Sequence, residues 1–182
     1  MIRVGFVFSF DDSWLGGINY FRNLLSAIYT LPEREIEVVI FTGLRTPAKY
    51  FADFPLITIV RSRLFDRGSL PWLVRRIWQK IFLHDSFLER LLKKYGVAAL
   101  SHSGWIGRDA TIPSIGWIPD FQHVRLPEFF DAKEMAIRNR YYGDMCRYCS
   151  TVIVSSFDAL ADLHQFDPNC QLKAKVLQFV VA

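Results

Sequence analysis

Long apolar runs are missing from this chain of 182 residues. A membrane-crossing helix needs roughly 18 consecutive apolar residues, and no stretch comes near that, although 51% of the residues are apolar. Cysteine is scarce: three thiols, an odd number, make no disulfide framework and fit a reducing compartment. Cys146 and Cys149 form a lone C-x-x-C near the end of a predicted helix. A redox pair would open a helix after a strand and a zinc site would need two more ligands, so these read as buried structural thiols. The start, Met1 to Val7, lacks the basic, apolar, small-residue order of a signal peptide. The expected location is therefore cytoplasmic. Also absent are internal repeats, low-complexity tracts, the dinucleotide and P-loop glycine fingerprints, a Ser-His-Asp nucleophile pattern, paired carboxylates and a metal-ligand cluster.

Aromatics, by contrast, are plentiful. Sixteen Phe, seven Tyr and five Trp with 22% charged residues describe a folded chain with a real core, and the length suits one domain. The net charge of +4 is unevenly spread. Arg61, Arg63, Arg67, Arg75, Arg76, Lys80, Arg90, Lys93 and Lys94 against Asp66, Asp85 and Glu89 make that segment +6 and leave −2 for the rest. Such a surface suits anionic lipid, a phosphorylated substrate or nucleic acid; a solvated helix face is the plainer reading. Nucleic acid is disfavoured because the basic residues lie on one amphipathic helix without interleaved aromatic platforms.

Apolar runs at Ile2–Phe10, Ile36–Phe41, Leu56–Val60, Val97–Leu100, Ile115–Ile118, Thr151–Val154 and Lys175–Val181 predict seven strands. Between them, helical spacing predicts helices over Ile18–Leu31, about Leu70–Ile81 with a break near His84 and a restart from Ser86 to Gly96, Asp131–Cys149 and Ser156–Phe166. Ser86-x-x-Glu89 reads as a capping box and Gly96 as a stop signal. Strands alternating with helices mean a mostly parallel sheet, hence an α/β fold: a Rossmann-like three-layer α/β/α sandwich occupying 1–182 as one domain.

In such sheets ligands bind beyond the carboxyl ends of the strands. After the fifth strand come Asp120, His123 and Arg125; after the fourth, His102 and Trp105. Asp120 and His123 suit acid/base or hydrogen-bonding work, or equally a turn cap and a locally satisfied imidazole. Gly16-Gly17 at a helix entrance leaves room and free amides for a phosphate; a tight turn explains the pair as well. Ser155 and Ser156 are most simply an N-cap, with anion binding the alternative.

Trp117-Ile118-Pro119-Asp120-Phe121-Gln122-His123 with Leu126-Pro127-Glu128-Phe129-Phe130, together with Thr151–Ser156, Ala159, Asp162-Leu163 and Lys175-Val176-Leu177, resembles the bacterial mannosyltransferase-like members of glycosyltransferase family 4. Gly16-Gly17-Ile18-Asn19-Tyr20 sits where those enzymes keep a glycine loop. The resemblance implies the N-terminal, acceptor-side half of a GT-B enzyme that transfers a sugar from a nucleotide sugar with retention. It further implies that Gly16 and Gly17 approach the donor diphosphate, that His123 or Asp120 contacts the transferred sugar, and that His102, Trp105 and Arg125 face a glycan or lipid-linked acceptor. No metal or other cofactor is expected, and the nucleotide sugar is the substrate. Nothing here matches the family's C-terminal donor domain, so the chain alone is expected to be inactive. By analogy with members that glycosylate lipids, Arg75, Arg76 and Lys80 are expected to meet an anionic membrane surface at the cytoplasmic side. The competing expectation is a non-catalytic Rossmann-like module binding a phosphorylated small ligand.

Overall fold

The computed structural model describes residues 1–8, 15–52, 54 and 57–179. Seven strands form one sheet: β1 (Ile2–Phe8), β2 (Ile36–Thr42), β3 (Thr58–Arg61), β4 (Ala99–Ser101), β5 (Ser114–Ile118), β6 (Thr151–Val154) and β7 (Ala174–Val176). Every pairing is parallel, in the order β3-β2-β1-β4-β5-β6-β7. The predicted α/β sandwich with seven strands is therefore the observed one. The expected ends at Phe10, Leu56 and Val181 lie outside the described residues. β7 pairs only with β6, and that ladder stops at Val154 opposite Val176.

Strand periodicity explains the two covered faces. Val38 and Ile40 point into a core with Phe6, Phe8 and helix α1 (Leu15–Thr30), through Phe21, Leu24 and Leu25. Val39 and Phe41, one residue out of phase, point to the opposite face. There they meet Leu88 and Leu92 of α3 (Ser86–Lys94), which follows α2 (Leu70–Phe82). Farther along that face, Val152 and Val154 pack against Met145 and Cys146 of α5 (Ala132–Tyr148) and Leu163 of α6 (Phe157–Phe166). A one-turn helix, α4 (Gln122–Arg125), lies between β5 and α5. The three cysteines are free and buried. Among the described residues no helix is long and apolar enough to cross a membrane.

The helix starts follow capping chemistry. Asp131 and Ser156 accept hydrogen bonds from the amides of Glu134 and Ala159. At α3 the structure corrects the predicted box: Asp85, not Ser86, is the cap and accepts from the Leu88 amide at 3.0 Å. Glu89 is thereby left to a different task. Its carboxylate accepts from the Thr111 amide at 2.9 Å and pairs with Lys93 and His84, tying α3 to the segment before β5. Burial opposes its charge, yet these hydrogen bonds, those from Thr111 foremost, hold its pKa down at about 2. Gly96 ends α3 at φ +65, a backbone conformation L side chains rarely adopt.

Helix α2 shows the expected stripe, but outward. Leu70, Ile77 and Ile81 are 73%, 58% and 66% exposed, while Gln79 is buried and its amide donates to the Trp105 carbonyl at 3.4 Å. Arg75 also turns in. Its Nε donates to Asp85 at 2.7 Å, an Nη donates to the Leu64 carbonyl at 3.1 Å, and the guanidinium lies 4.9 Å from the Phe65 ring centroid. This corrects the expectation that Arg75 meets a membrane beside Arg76 and Lys80, because its charge is already paired with a carboxylate that is 1% exposed. Removing one partner of a buried ion pair leaves the other uncompensated. Arg75→Ala is therefore expected to cost roughly 3 kcal/mol of stability, against about 0.5 kcal/mol or less for Arg76→Ala. Urea unfolding curves check this, and equal midpoints for the two variants would contradict the assignment.

Candidate functional site

The strand order reverses at β1, which has β2 on one side and β4 on the other. Crossovers leave the sheet in opposite directions there, opening a crevice at the carboxyl edge. A cavity of about 1280 Å³ occupies this position. Phe8, His102 and Trp117 line its floor, α2 supplies one wall through Leu73, Arg76, Ile77 and Lys80, and α5 supplies the other through Arg138 and Tyr141. Among the described residues the charged lining is basic except for Asp144. The surface is thus aromatic below and cationic at the sides, suited to a ligand with an anionic group and an apolar or sugar face.

His102 is fixed from several directions. It follows β4 with φ +51, and the adjoining Ser103 hydroxyl accepts from the Val7 amide at 2.9 Å. Its Nε2 is 2.7 Å from the Tyr20 hydroxyl and its Nδ1 2.8 Å from the Ser101 hydroxyl. Its ring stacks on Phe6 with centroids 5.6 Å apart. Burial pushes its pKa down to about 3, so the ring is neutral at pH 7. Each ring nitrogen already has a hydroxyl partner, so His102 is equipped to orient the Tyr20 hydroxyl rather than to carry a proton. Burial likewise pushes the Tyr20 hydroxyl well above its ordinary value. Tyr20 in turn stacks flat on Trp117, with centroids 4.3 Å apart and planes 6° from parallel.

Gly16 and Gly17 lie in the first turn of α1 and are not among the described lining residues of the cavity; the next turn carries Tyr20, which supports the floor through its hydroxyl on His102 and its ring on Trp117. Where a Cβ would project from Gly16 there is open space, and the first turn has no acidic residue. Trp105 lines the cavity and packs on Tyr148, centroids 4.9 Å apart. Asp120 follows the cavity-lining Pro119 but is not itself among the described lining residues; it accepts from the Gln122 amide at 3.1 Å and acts electrostatically on Arg138 and Tyr142.

Two other candidates lie elsewhere. His123 is fully buried in the core behind the cavity, its Nε2 3.0 Å from the Asn139 side-chain oxygen and its ring among Phe121, Phe130 and Tyr142. Arg125 grips Asp162 of α6 through two hydrogen bonds at 2.9 and 2.8 Å. Ser156 caps α6, and the Ser155 hydroxyl donates to the Pro119 carbonyl, joining the ends of β6 and β5. Among the described residues no group of His, Cys, Asp and Glu is placed to hold a metal ion.

The structure adds Tyr20, Arg138 and Tyr141 to the sequence candidates. Tyr20 carried a signal, since it lies one helical turn after Gly16-Gly17 on the side of Phe21 and Leu24. Arg138 and Tyr141 carried none: their role as a wall depends on α2, some sixty residues away in the chain.

No family model matches the chain, and no curated protein matches it. Among solved structures it is similar to Anabaena Alr3699/HepE in complex with UDP and glucose, at a TM-score of 0.56 and 12% sequence identity. The fold is shared with that protein. The match covers 98% of this chain and 45% of the HepE chain, so this chain spans less than half the length of that neighbour.

The His102 environment has a direct consequence. A folded pKa near 3 lies below the unfolded value, 6.5, so between those pH values the unfolded chain binds more protons and stability rises with pH. His102 thus contributes a stability that is complete above about pH 6.5 and is lost as pH falls toward 3. In an NMR titration its ring carbon-bound protons should not shift between pH 5 and 8, whereas an inflection near 6.5 would contradict the enclosed geometry.

Proposed function

We propose that this chain is the acceptor-side domain of a retaining, family 4 glycosyltransferase, which moves a sugar, mannose by resemblance, from a nucleotide sugar to a glycan or lipid-linked acceptor at the cytoplasmic face of a membrane. The observation that carries the reading is the cavity: aromatic-floored, basic-walled, set where a seven-stranded parallel sheet reverses, in a fold shared with a protein that holds UDP and glucose. A nucleotide sugar has matching parts. Its diphosphate suits the cationic walls and, as the resemblance implies, the first turn of α1 at Gly16-Gly17, and its sugar suits the floor of Phe8, Trp117 and His102.

Asp120 follows β5 directly after the cavity-lining Pro119, so in this reading it meets the transferred sugar. His123 acts from behind, holding Asn139 and Phe121 in register. Trp105 and the α5 wall meet the acceptor, while Arg125 steadies α6 through Asp162. Transfer requires both reactants held in a closed cleft and the departing diphosphate stabilised. In this reading a second, donor-binding domain supplies most of those contacts, and the chain by itself binds but does not turn over. No metal or further cofactor enters the scheme.

Calorimetry and nucleotide release with UDP-glucose and GDP-mannose test it together. Weak saturable binding is expected, roughly millimolar, lost in Gly16→Val with Gly17→Val, and with no release of nucleotide. Absence of binding to either donor overturns the glycosyltransferase reading, and turnover overturns the division of labour. Tight saturation by a simple sugar phosphate, indifferent to nucleotide, identifies a non-catalytic ligand-binding module instead.

A further inference from the structure

Helix α2 turns its apolar crest outward and lays Arg76 along the cavity. An Nη of Arg76 donates to the Gln79 side-chain oxygen at 3.0 Å, and the Gln79 amide nitrogen donates to the Trp105 carbonyl at 3.4 Å. Gln79 is 8% exposed, so a buried amide ties a guanidinium to the residue that carries an indole. Trp105 itself is half-buried, with Tyr148 packed against it. From the opposite wall Tyr141 reaches the same loop. Where a Cβ on Gly104 would project, the Tyr141 hydroxyl oxygen lies 3.1 Å away, and Arg76 is near enough to act electrostatically on that hydroxyl. Arg76, Trp105 and Tyr141 thus gather around one turn after β4, and all three line the cavity.

Arg76 differs from the other arginines of the walls in what it holds. Arg75 is paired with Asp85, and Arg138 with Glu134. Among the described residues no carboxylate pairs with Arg76, whose partner is a neutral amide. Arg67, Lys80 and Arg140 line the cavity in the same condition, against Asp144 as the one acidic lining residue described. Positive charge is therefore left over once a donor diphosphate is bound. A guanidinium presents a planar fork that takes a carboxylate through two parallel hydrogen bonds, and an indole offers a broad apolar face to a sugar ring. Joined through one amide, the two match a single pyranose that carries an exocyclic carboxylate.

We infer that this part of the cavity is a subsite for an acidic sugar: the acceptor presents a uronic acid whose ring lies on Trp105, whose carboxylate meets Arg76 and whose hydroxyls reach Tyr141. Gln79 is a positioning residue, holding the fork in register with the indole. The inference rests on the reading of the chain as an acceptor-side domain and names the chemistry of that acceptor. Its test contains no sugar donor. If the inference alone fails, UDP-glucose still binds; if the glycosyltransferase reading fails, donor binding is what disappears.

Calorimetric titration with methyl β-glucuronide and methyl β-glucoside decides it. The glucuronide should bind roughly tenfold or more tightly than the glucoside, and saturating UDP should not displace it. Arg76→Gln should abolish the preference by weakening the glucuronide alone, while Arg76→Lys, which keeps the charge without the fork, should retain only part of it. Gln79→Glu, whose carboxylate would occupy Arg76, should lose the preference too; a purely structural role would leave the ratio of the two affinities unchanged. Arg76 is exposed, so the thermal midpoints of its variants should stay close to that of the parent protein. The inference is overturned if the glucuronide shows no saturable binding, if the two glycosides bind equally, or if Arg76→Gln keeps the preference. Displacement of the glucuronide by UDP also overturns it, because the guanidinium then belongs to the donor. Glucose 6-phosphate bound more tightly than the glucuronide, with the same dependence on Arg76, overturns it in favour of a phosphorylated acceptor.

Discussion

A parallel sheet has to be covered on both faces, and most of this molecule follows from that constraint. Alternate residues of β2 belong to different cores, Val38 and Ile40 to one and Val39 and Phe41 to the other, so helices are required on both sides. Covering both faces with short crossovers places the reversal at β1, and the reversal leaves the crevice. The same requirement explains the packing of His102: aromatic residues needed to seal the sheet, Phe6, Phe21 and Trp117, crowd its ring at the end of β4, where it also lines the cavity.

Helix α2 departs from the pattern, and the departure traces to one buried ion pair. Asp85 does two things at once, capping α3 through the Leu88 amide and holding Arg75. Satisfying that carboxylate turns the polar side of α2 inward, and the apolar side is then obliged to face out. A buried ion pair is weak evidence for net stability, but a strong determinant of orientation, since the alternative rotation would bury Asp85 without a partner. Position and rotation of α2 thereby shape one wall of the cavity and the exposed crest together.

Much of the fold was legible in the sequence for simple reasons. Thr151–Val154 and Ser114–Ile118 are apolar runs too short for helices and stopped by Ser155 and Pro119, and both are strands within a residue of the reading. The stripe of α2 was legible too, but not its direction, because periodicity shows that a helix has two sides and not which side meets the core. The partners that decide it, Asp85, Leu64 and the Trp105 carbonyl, are remote in sequence or ordinary in type. The site was partly legible. His102 and Trp105 reach the cavity because strand ends do so in any such sheet, whereas the burial of His123 depends on Asn139 and Tyr142 arriving from α5. Ser86 was read as a cap because Ser-x-x-Glu is a common box; Asp85 won because its carboxylate could cap and pair together.

The central claim is that the crevice at the ends of β1, β4 and β5 receives a nucleotide sugar. Photo-crosslinking with an azido-substituted UDP-glucose, followed by peptide mapping, tests it most directly. The account predicts label in the first turns of α1, in the His102–Trp105 segment and in the α5 wall near Arg138 and Tyr141, with competition by unlabelled UDP-glucose. Label spread over the outer faces of α3 and α6, or unaffected by competitor, would contradict it.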